Sequence, residues 1–267
     1  MPTTTTEPPI EEFTRRREAP AWARTAEWDT VPAQLRRRAF FSAAVADARA
    51  LSAERDAVAA LLRRERAPDG RLLRRDMVIR DMRRLMQARG LDTGAPDALT
   101  NPAAEARIKL VIDTNRAQAQ GYARFRRSST GGALLAFPAQ ELVRVRRSTV
   151  ERPWLSRWNG AGGTLVNGRM VALKTDPIWT ALSRFGTPYP PFDFNSGMGV
   201  RDVSRREAIR LGLIAEDWSP PTDPVADFNA GTEADASRIH PDLLAQLTTL
   251  FGDQVTRQGN RLRMAAA

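Results

Sequence analysis

The sequence predicts an α+β protein, mainly helical in its N-terminal half with a smaller β-containing C-terminal part. Three observations lead there. Apolar residues recur at helical spacing in several stretches up to residue 127. Short alternating runs bounded by Gly-containing turns follow it. Apolar residues fill 42% of the 267 positions, enough for a core. No apolar stretch reaches the roughly 20 residues that span a bilayer, so no membrane segment is expected.

Residues 1–9 are rich in Thr and Pro and are expected to form a disordered tail. A helical region over 10–127 comes next. In "VPAQLRRRAFFSAAVADARAL", Leu35, Phe40, Val45 and Leu51 fall on one rough helical stripe. Ser52 is expected to cap a helix that runs to about Arg66, before a turn at Pro68-Asp69-Gly70. Apolar residues at 73, 77, 78, 82, 85 and 86 predict another helix, stopped by Gly90 just past its end. After a loop, Asn101 as cap and Pro102 at the first helical position open the clearest helix. Ile108, Val111, Ile112, Asn115, Ala119 and Tyr122 share its apolar face as far as about Phe125. Asn115 is the one polar residue in that stripe. Either it is buried and hydrogen-bonds a neighbouring loop or helix, or it sits at the stripe's edge in water.

Residues 128–214 are expected to be the α+β part. "ALLAFPAQELVRVRR" and "GRMVALKTD" read as strands, the second following an Asn167-Gly168 turn. A short helix with Pro177 at its first position ends before Gly186. Val200–Val203 reads as a strand. Ser204 with Glu207 forms a capping box, and Gly212 closes the helix it starts. Residues 215–236 hold six acidic groups and no basic one, the pattern of an acidic, Pro-rich tether. Residues 237–267 predict a helix, "HPDLLAQLTTLFG", and a small hairpin around Gly259-Asn260. There is no internal repeat.

Composition narrows the chemistry. The chain has no cysteine, which excludes disulfides and thiolate metal sites and points to a reducing compartment. Its one histidine, His240, speaks against a His-based zinc site or His-driven acid–base catalysis. The start, "MPTTTTEPPIEEF", lacks the pattern of a signal peptide. No phosphate-binding loop, nucleophile elbow or dinucleotide fingerprint occurs, and the Gly-rich "NGAGGTLVNG" opens no helix. No catalytic set, metal site or cofactor is therefore expected. A metal-dependent nuclease would need carboxylates converging in a cleft. Asp113, Asp176, Asp193 and Asp202 are the residues to watch, and each also reads as a cap, a turn residue or an ion-pair partner.

The formal charge is +10, and 39 of the 41 basic residues are Arg. A G+C-rich genome writes Arg for Lys, but that leaves the net charge to be explained. An excess of positive charge favours a polyanionic neighbour, and the guanidinium fork suits phosphate. The charge peaks over residues 101–150, with nine basic and three acidic groups, and turns negative over 201–267. Most basic clusters read as solvated helix faces. Arg124, Arg126 and Arg127 differ, together with Arg144, Arg146 and Arg147. They flank a Ser/Gly-rich loop whose only acidic neighbour is Glu141. These six are the DNA-contact candidates, expected to meet the backbone without sequence preference.

The stretch "GTPYPPFDFNSGMGVRDVSRREAIRLG" is too rich in rings for a plain linker. Trp179, Phe185, Tyr189, Phe192 and Phe194 fall within sixteen residues. They either fill a local core or form a docking surface for a partner. Pro188, Pro190 and Pro191 stiffen the loop, and Gly197 and Gly199 permit positive φ or close backbone approach.

Taken in order, three blocks resemble the phage Mu F-like minor head proteins, the head morphogenesis family of tailed bacteriophages. "PIEEFTRRREAPAWARTAEWDTVPAQLRRRAFFSA" is similar to the family's opening, with Ala39-Phe40 for its Ala-Phe pair. "ARIKLVIDTNRAQAQGYARF" is similar to its central helix, with Thr114-Asn115 for its Thr-Asn pair. "YPPFDFNSGMGVRDVSRREAIRLGL" is similar to its closing block, with Gly197, Gly199, Ser204 and Glu207 at the turn and helix cap. The likeness covers roughly residues 10–214. Many members carry a His before the Pro-Pro loop and a Cys-x-Cys after it; this chain has Ser196-Gly197-Met198-Gly199, so no metal or redox role carries over. The resemblance implies a non-catalytic minor capsid protein that acts in head assembly. Its partners would be the portal, scaffold or major capsid protein and, non-specifically, packaged DNA. It would lie inside the head of the virion, and in the host cytoplasm during assembly. The aromatic loop would staple the β-containing part to the helical part. The alternatives are a free, sequence-independent nucleic-acid-binding protein and a metal-dependent nuclease.

Overall fold

The computed structural model describes residues 10, 13–14, 16–19, 23–32, 35–36, 39–43, 45–147, 151–221 and 233–264. The expected tail at 1–9 and residues 222–232 of the expected tether lie outside the described residues. In chain order the elements are β1 (Arg17–Glu18), α1 (Thr25–Trp28), β2 (Ala39–Phe40), α2 (Ala48–Arg63), α3 (Arg75–Ala88), α4 (Glu105–Ser128) and α5 (Gly131–Ala136). Then come β3 (Ala139–Arg144), α6 (Trp154–Gly160), β4 (Val171–Leu173), α7 (Ile178–Leu182), β5 (Met198–Val203) and α8 (Arg205–Arg210). The last are β6 (Glu233–Asp235), α9 (Pro241–Phe251), β7 (Val255–Gln258) and β8 (Arg261–Met264). The protein is α+β, with its helices mostly in the N-terminal half. It forms two compact units, Met1–Ala119 with Asn229–Ala267, and Gln120–Phe228.

The first unit has two apolar clusters. Val58, Val78, Ile79, Met86, Ile108 and Ile112 join α2, α3 and the first part of α4. Trp28, Val31, Leu35, Leu243, Leu247, Phe251 and Leu262 join the N-terminal segment to α9 and the hairpin β7–β8. That hairpin pairs antiparallel, with β6 on its other side, and Gly259 supplies the positive φ of its turn. Trp28 stacks on Phe41 at 4.0 Å between centroids.

Local signals in this unit hold with three corrections. Leu35, Phe40, Val45 and Leu51 are all buried, but they do not share a helix. Ala39–Phe40 pairs in parallel with β1, and this strand pairing overrides the helical spacing. The helix cap is Asp47, whose carboxylate accepts from the Ala50 N–H at 2.8 Å; Ser52 lies inside α2 and its hydroxyl donates to Glu18. Asn101 caps only a turn: its Oδ1 accepts from the Ala103 N–H at 2.9 Å, its amide donates to Asp92 at 2.8 Å, and α4 begins at Glu105. Gly90 does end α3, with φ of 67° and the Leu91 N–H returning to the Met86 carbonyl.

In the second unit β3 is the centre of a three-stranded antiparallel sheet in the order β4-β3-β5. Side chains alternate across it as strand geometry requires. Leu142, Ala172, Met198 and Val200 pack on Trp154, Trp158, Trp179 and Phe192. Ala139, Val171, Leu173 and Val203 pack on the other face against Ala208, Ile209 and Ile214. Trp158 and Trp179 satisfy their indole N–H, Trp158 on the Thr164 carbonyl and Trp179 on the Leu173 carbonyl. The Asn167-Gly168 turn forms with φ of 52° and 76°, and Ser204 caps α8 through the Glu207 N–H. The "ALLAFP" stretch is not a strand. Thr130 caps α5 there, its hydroxyl accepting from the Ala133 N–H, and β3 starts only at Ala139.

Candidate nucleic-acid interface

All six DNA-contact candidates lie in the second unit and are exposed. Arg124, Arg126 and Arg127 stand on the last turns of α4, where positive charge is favoured by the helix dipole. Arg144 ends β3, and Arg146 and Arg147 follow it. Among the described residues only Arg144 has a carboxylate within ion-pair reach, Glu151 at 3.9 Å. The other five have none.

The backbone beneath both clusters is fixed by one loop, residues 186–199. At one end of it Tyr189 packs on Tyr122 and Phe125 of α4, with centroids 5.9 and 5.5 Å apart. Gly121 lies so close to this loop that a β-carbon would overlap the Pro190 carbonyl oxygen. At the other end the Gly197 carbonyl accepts from the Val145 N–H at 2.9 Å and the Arg146 N–H at 3.0 Å. Gly197 has φ of 65°, and a β-carbon there would overlap the Arg146 carbonyl oxygen. Gly199 meets the Val145 side chain. The glycines of the closing block thus serve close backbone approach, and the loop closes on α4.

The five aromatics divide. Trp179, Tyr189 and Phe192 are buried core residues, which corrects their reading as partner contacts: their rings build the packing under the sheet and the loop. Phe185 and Phe194 are half-buried and meet edge to face at 4.8 Å.

The residues of the Thr-Asn pair are half-buried in α4. Asn115 accepts from the Arg16 guanidinium at 3.2 Å and donates to the Val111 carbonyl at 2.9 Å. It therefore anchors the N-terminal segment, with Gln118 accepting from the same guanidinium at 2.9 Å. Glu207 does not complete its capping box by reaching back; its carboxylate takes Arg169 at 2.7 Å. Arg169 also binds Glu141 at 2.7 Å, and Arg201 binds Glu141 as well. The Arg169 hydrogen bond, with help from Arg201, holds the Glu141 carboxyl below the usual carboxylate range.

Each carboxylate singled out as a metal candidate has its own partner. Asp113 binds Arg75 at 2.6 Å in the first unit. In the second, Asp176 accepts from the Ile178 N–H at 2.8 Å, Asp202 binds Lys174 at 2.7 Å, and Asp193 is shared by Arg152, Arg157 and Arg184. Among the described residues no group of three or more His, Asp or Glu side chains could hold a metal ion. No helix among the described residues is long and apolar enough to cross a membrane.

Two features lay beyond sequence reasoning: the points at which the loop expected to act as a staple attaches, and the arginine cage of Asp193. Glycines at 197 and 199 were the only local signal of the first. Compared with protein families, curated proteins and solved structures, the chain matches none.

Proposed function

We propose that this chain is a structural, non-catalytic minor head protein of a tailed bacteriophage, which works in head assembly beside the portal and touches packaged DNA without reading its sequence. The observation that carries the reading is the set of exposed arginines at 124, 126, 127, 146 and 147, without an ion-pair partner among the described residues, on a backbone clamped by the 186–199 loop. Such an array suits phosphate contact made along a duplex backbone. The resemblance of the three sequence blocks to the Mu F-like family supplies the head context. Phe185 and Phe194, the half-buried pair, are the aromatics left to meet a portal, scaffold or capsid partner.

Co-expression with portal, scaffold and major capsid proteins tests this. The expected result is incorporation into assembled particles at low, fixed stoichiometry. Exclusion from particles, with the protein left in solution bound to DNA, overturns the head reading in favour of a free nucleic-acid-binding protein.

A further inference from the structure

One carboxylate in the second unit serves three guanidiniums. Asp193, 1% exposed, lies 2.8 Å from Arg157, 3.2 Å from Arg152 and 3.6 Å from Arg184. Arg152 and Arg157 alone exceed its charge by one. Arg152, about one-quarter exposed, also donates to the Phe194 carbonyl at 2.7 Å. Arg157 and Arg184 are different. Each is about one-third exposed, and both line an open cavity of about 410 Å³.

The rest of that cavity is small and weakly polar. Ala161, Ala181, Leu182 and Ser183 contribute to its wall, and among the described residues no carboxylate does. Its two guanidiniums are held in place before anything binds. Arg157 lies over the Trp154 ring at 4.9 Å, Arg184 lies over the Phe194 ring at 5.2 Å, and Asp193 pairs with both. Prepositioned forks lose little freedom on binding an oxyanion. The volume falls in the range of small-ligand sites.

We infer that this cavity binds a phosphate group between Arg157 and Arg184. Phosphate suits the pair, because its three or four oxygens let each fork take a bidentate contact of its own. The group can belong to a free phosphate compound or to a nucleic-acid backbone; only the second source rests on the head-protein reading above.

Calorimetric titration of the full chain with inorganic phosphate at low ionic strength is the test. Ala181→Glu introduces a carboxylate at an exposed position on the cavity wall, and Arg157→Gln removes one fork. The expected result is one phosphate per chain, bound about tenfold more weakly or worse by either variant, with Ala181→Glu unfolding at the wild-type temperature. No binding to the wild type, or equal binding to wild type and Ala181→Glu, overturns the inference. Titration with a short duplex then separates the sources. Parallel loss of duplex affinity in Ala181→Glu assigns the site to nucleic-acid backbone, whereas unchanged duplex affinity beside lost phosphate binding assigns it to a free phosphate compound. Exclusion of the chain from particles leaves the calorimetric result standing, so the two readings fail separately.

Discussion

Gly121 sits against the backbone of Pro190, with no room between them for a single methyl group. The glycine lies inside α4, where alanine is ordinarily the better residue by about 1 kcal/mol. Here the sign reverses. The obstacle is a carbonyl oxygen of the main chain, which cannot rotate away, and Tyr189 is packed beside it on Tyr122 and Phe125. Gly121→Ala is expected to destabilise the second unit by about 2 kcal/mol, the usual cost of overpacking. Urea unfolding followed by tryptophan fluorescence reads this directly, since Trp154, Trp158 and Trp179 all lie in that unit's core. An unchanged or raised midpoint would show that the loop gives way.

Gly197 makes the second attachment and has two reasons to be glycine: a left-handed backbone and the Arg146 carbonyl against its α-carbon. Gly197→Ala is expected to cost about 1–2 kcal/mol from conformation alone, with the overlap added. The specific signature is local. Hydrogen exchange at the Val145 and Arg146 amides, which donate to Gly197, should accelerate more than exchange across β3 and β4. Uniform acceleration through the unit would argue against a local anchoring role.

These two glycines show what was legible in the sequence and what was not. Where the determinant lies within a few residues, the reading holds: Gly90 ends its helix, Asn167-Gly168 turns a hairpin, Ser204 caps α8 and Gly259 turns β7 into β8. Ser52 misled because Asp47, five positions earlier, offers the same capping chemistry, and periodicity misled at Phe40 because pairing with a strand overrode the helix. Distant determinants left no mark. Nothing near Gly121 announces Pro190, nothing near Asp193 announces arginines from two separate segments, and nothing near Leu243 announces Trp28 and Leu35. The exposed arginines were legible by their charge pattern alone; the loop that holds them was legible as a staple only through the resemblance, and its rings and glycines did not say where it attaches.

The arginines have a measurable salt signature. Replacing Arg144, Arg146 and Arg147 together with Gln should weaken duplex binding equally across unrelated sequences. It should also lower the slope of log affinity against log salt by about 0.9 for each phosphate that is no longer neutralised. Fluorescence anisotropy with two duplexes of different sequence, each over a salt series, checks both points. A sequence-dependent weakening would contradict a backbone-directed interaction, and an unchanged slope would remove this segment from the interface.

Asp193→Asn removes the charge that the three guanidiniums share without altering the side chain's shape. Breaking a buried ion pair by taking away one partner costs about 3–5 kcal/mol, because the remaining charges are left uncompensated. All three arginines are a quarter to a third exposed, so the lower end of that range is expected. The unfolding midpoint of the second unit should fall accordingly, and high salt should recover part of the loss by screening. A variant as stable as wild type would mean that Asp193 relieves no repulsion.

Glu54 gives the first unit a pH dependence of a particular sign. It is almost wholly buried in α2, and one carboxylate oxygen has no hydrogen-bond partner. Burial pushes its pKa up from 4.5 to about 7, against the opposing influence of the Ser42 hydroxyl and the Arg107 charge. Arg107 itself is buried and directs its donors to the Leu99 and Ala43 carbonyls and the Ser42 hydroxyl, so it does not pair directly with the carboxylate. The folded state therefore holds the Glu54 proton more tightly than the unfolded chain. The stabilisation is complete below pH 4.5, declines as pH rises and is lost on passing about 7, a total of about 3 kcal/mol from the size of the shift. Glu54→Gln keeps the shape and cannot ionise. Its stability relative to wild type should rise between about pH 5 and about pH 8, with the contribution of every other titrating group cancelling in the comparison. Urea midpoints of both proteins, measured across that window by far-ultraviolet circular dichroism, decide the matter: parallel curves would mean that Glu54 is ionised in the fold throughout, with Arg107 near enough to compensate its burial.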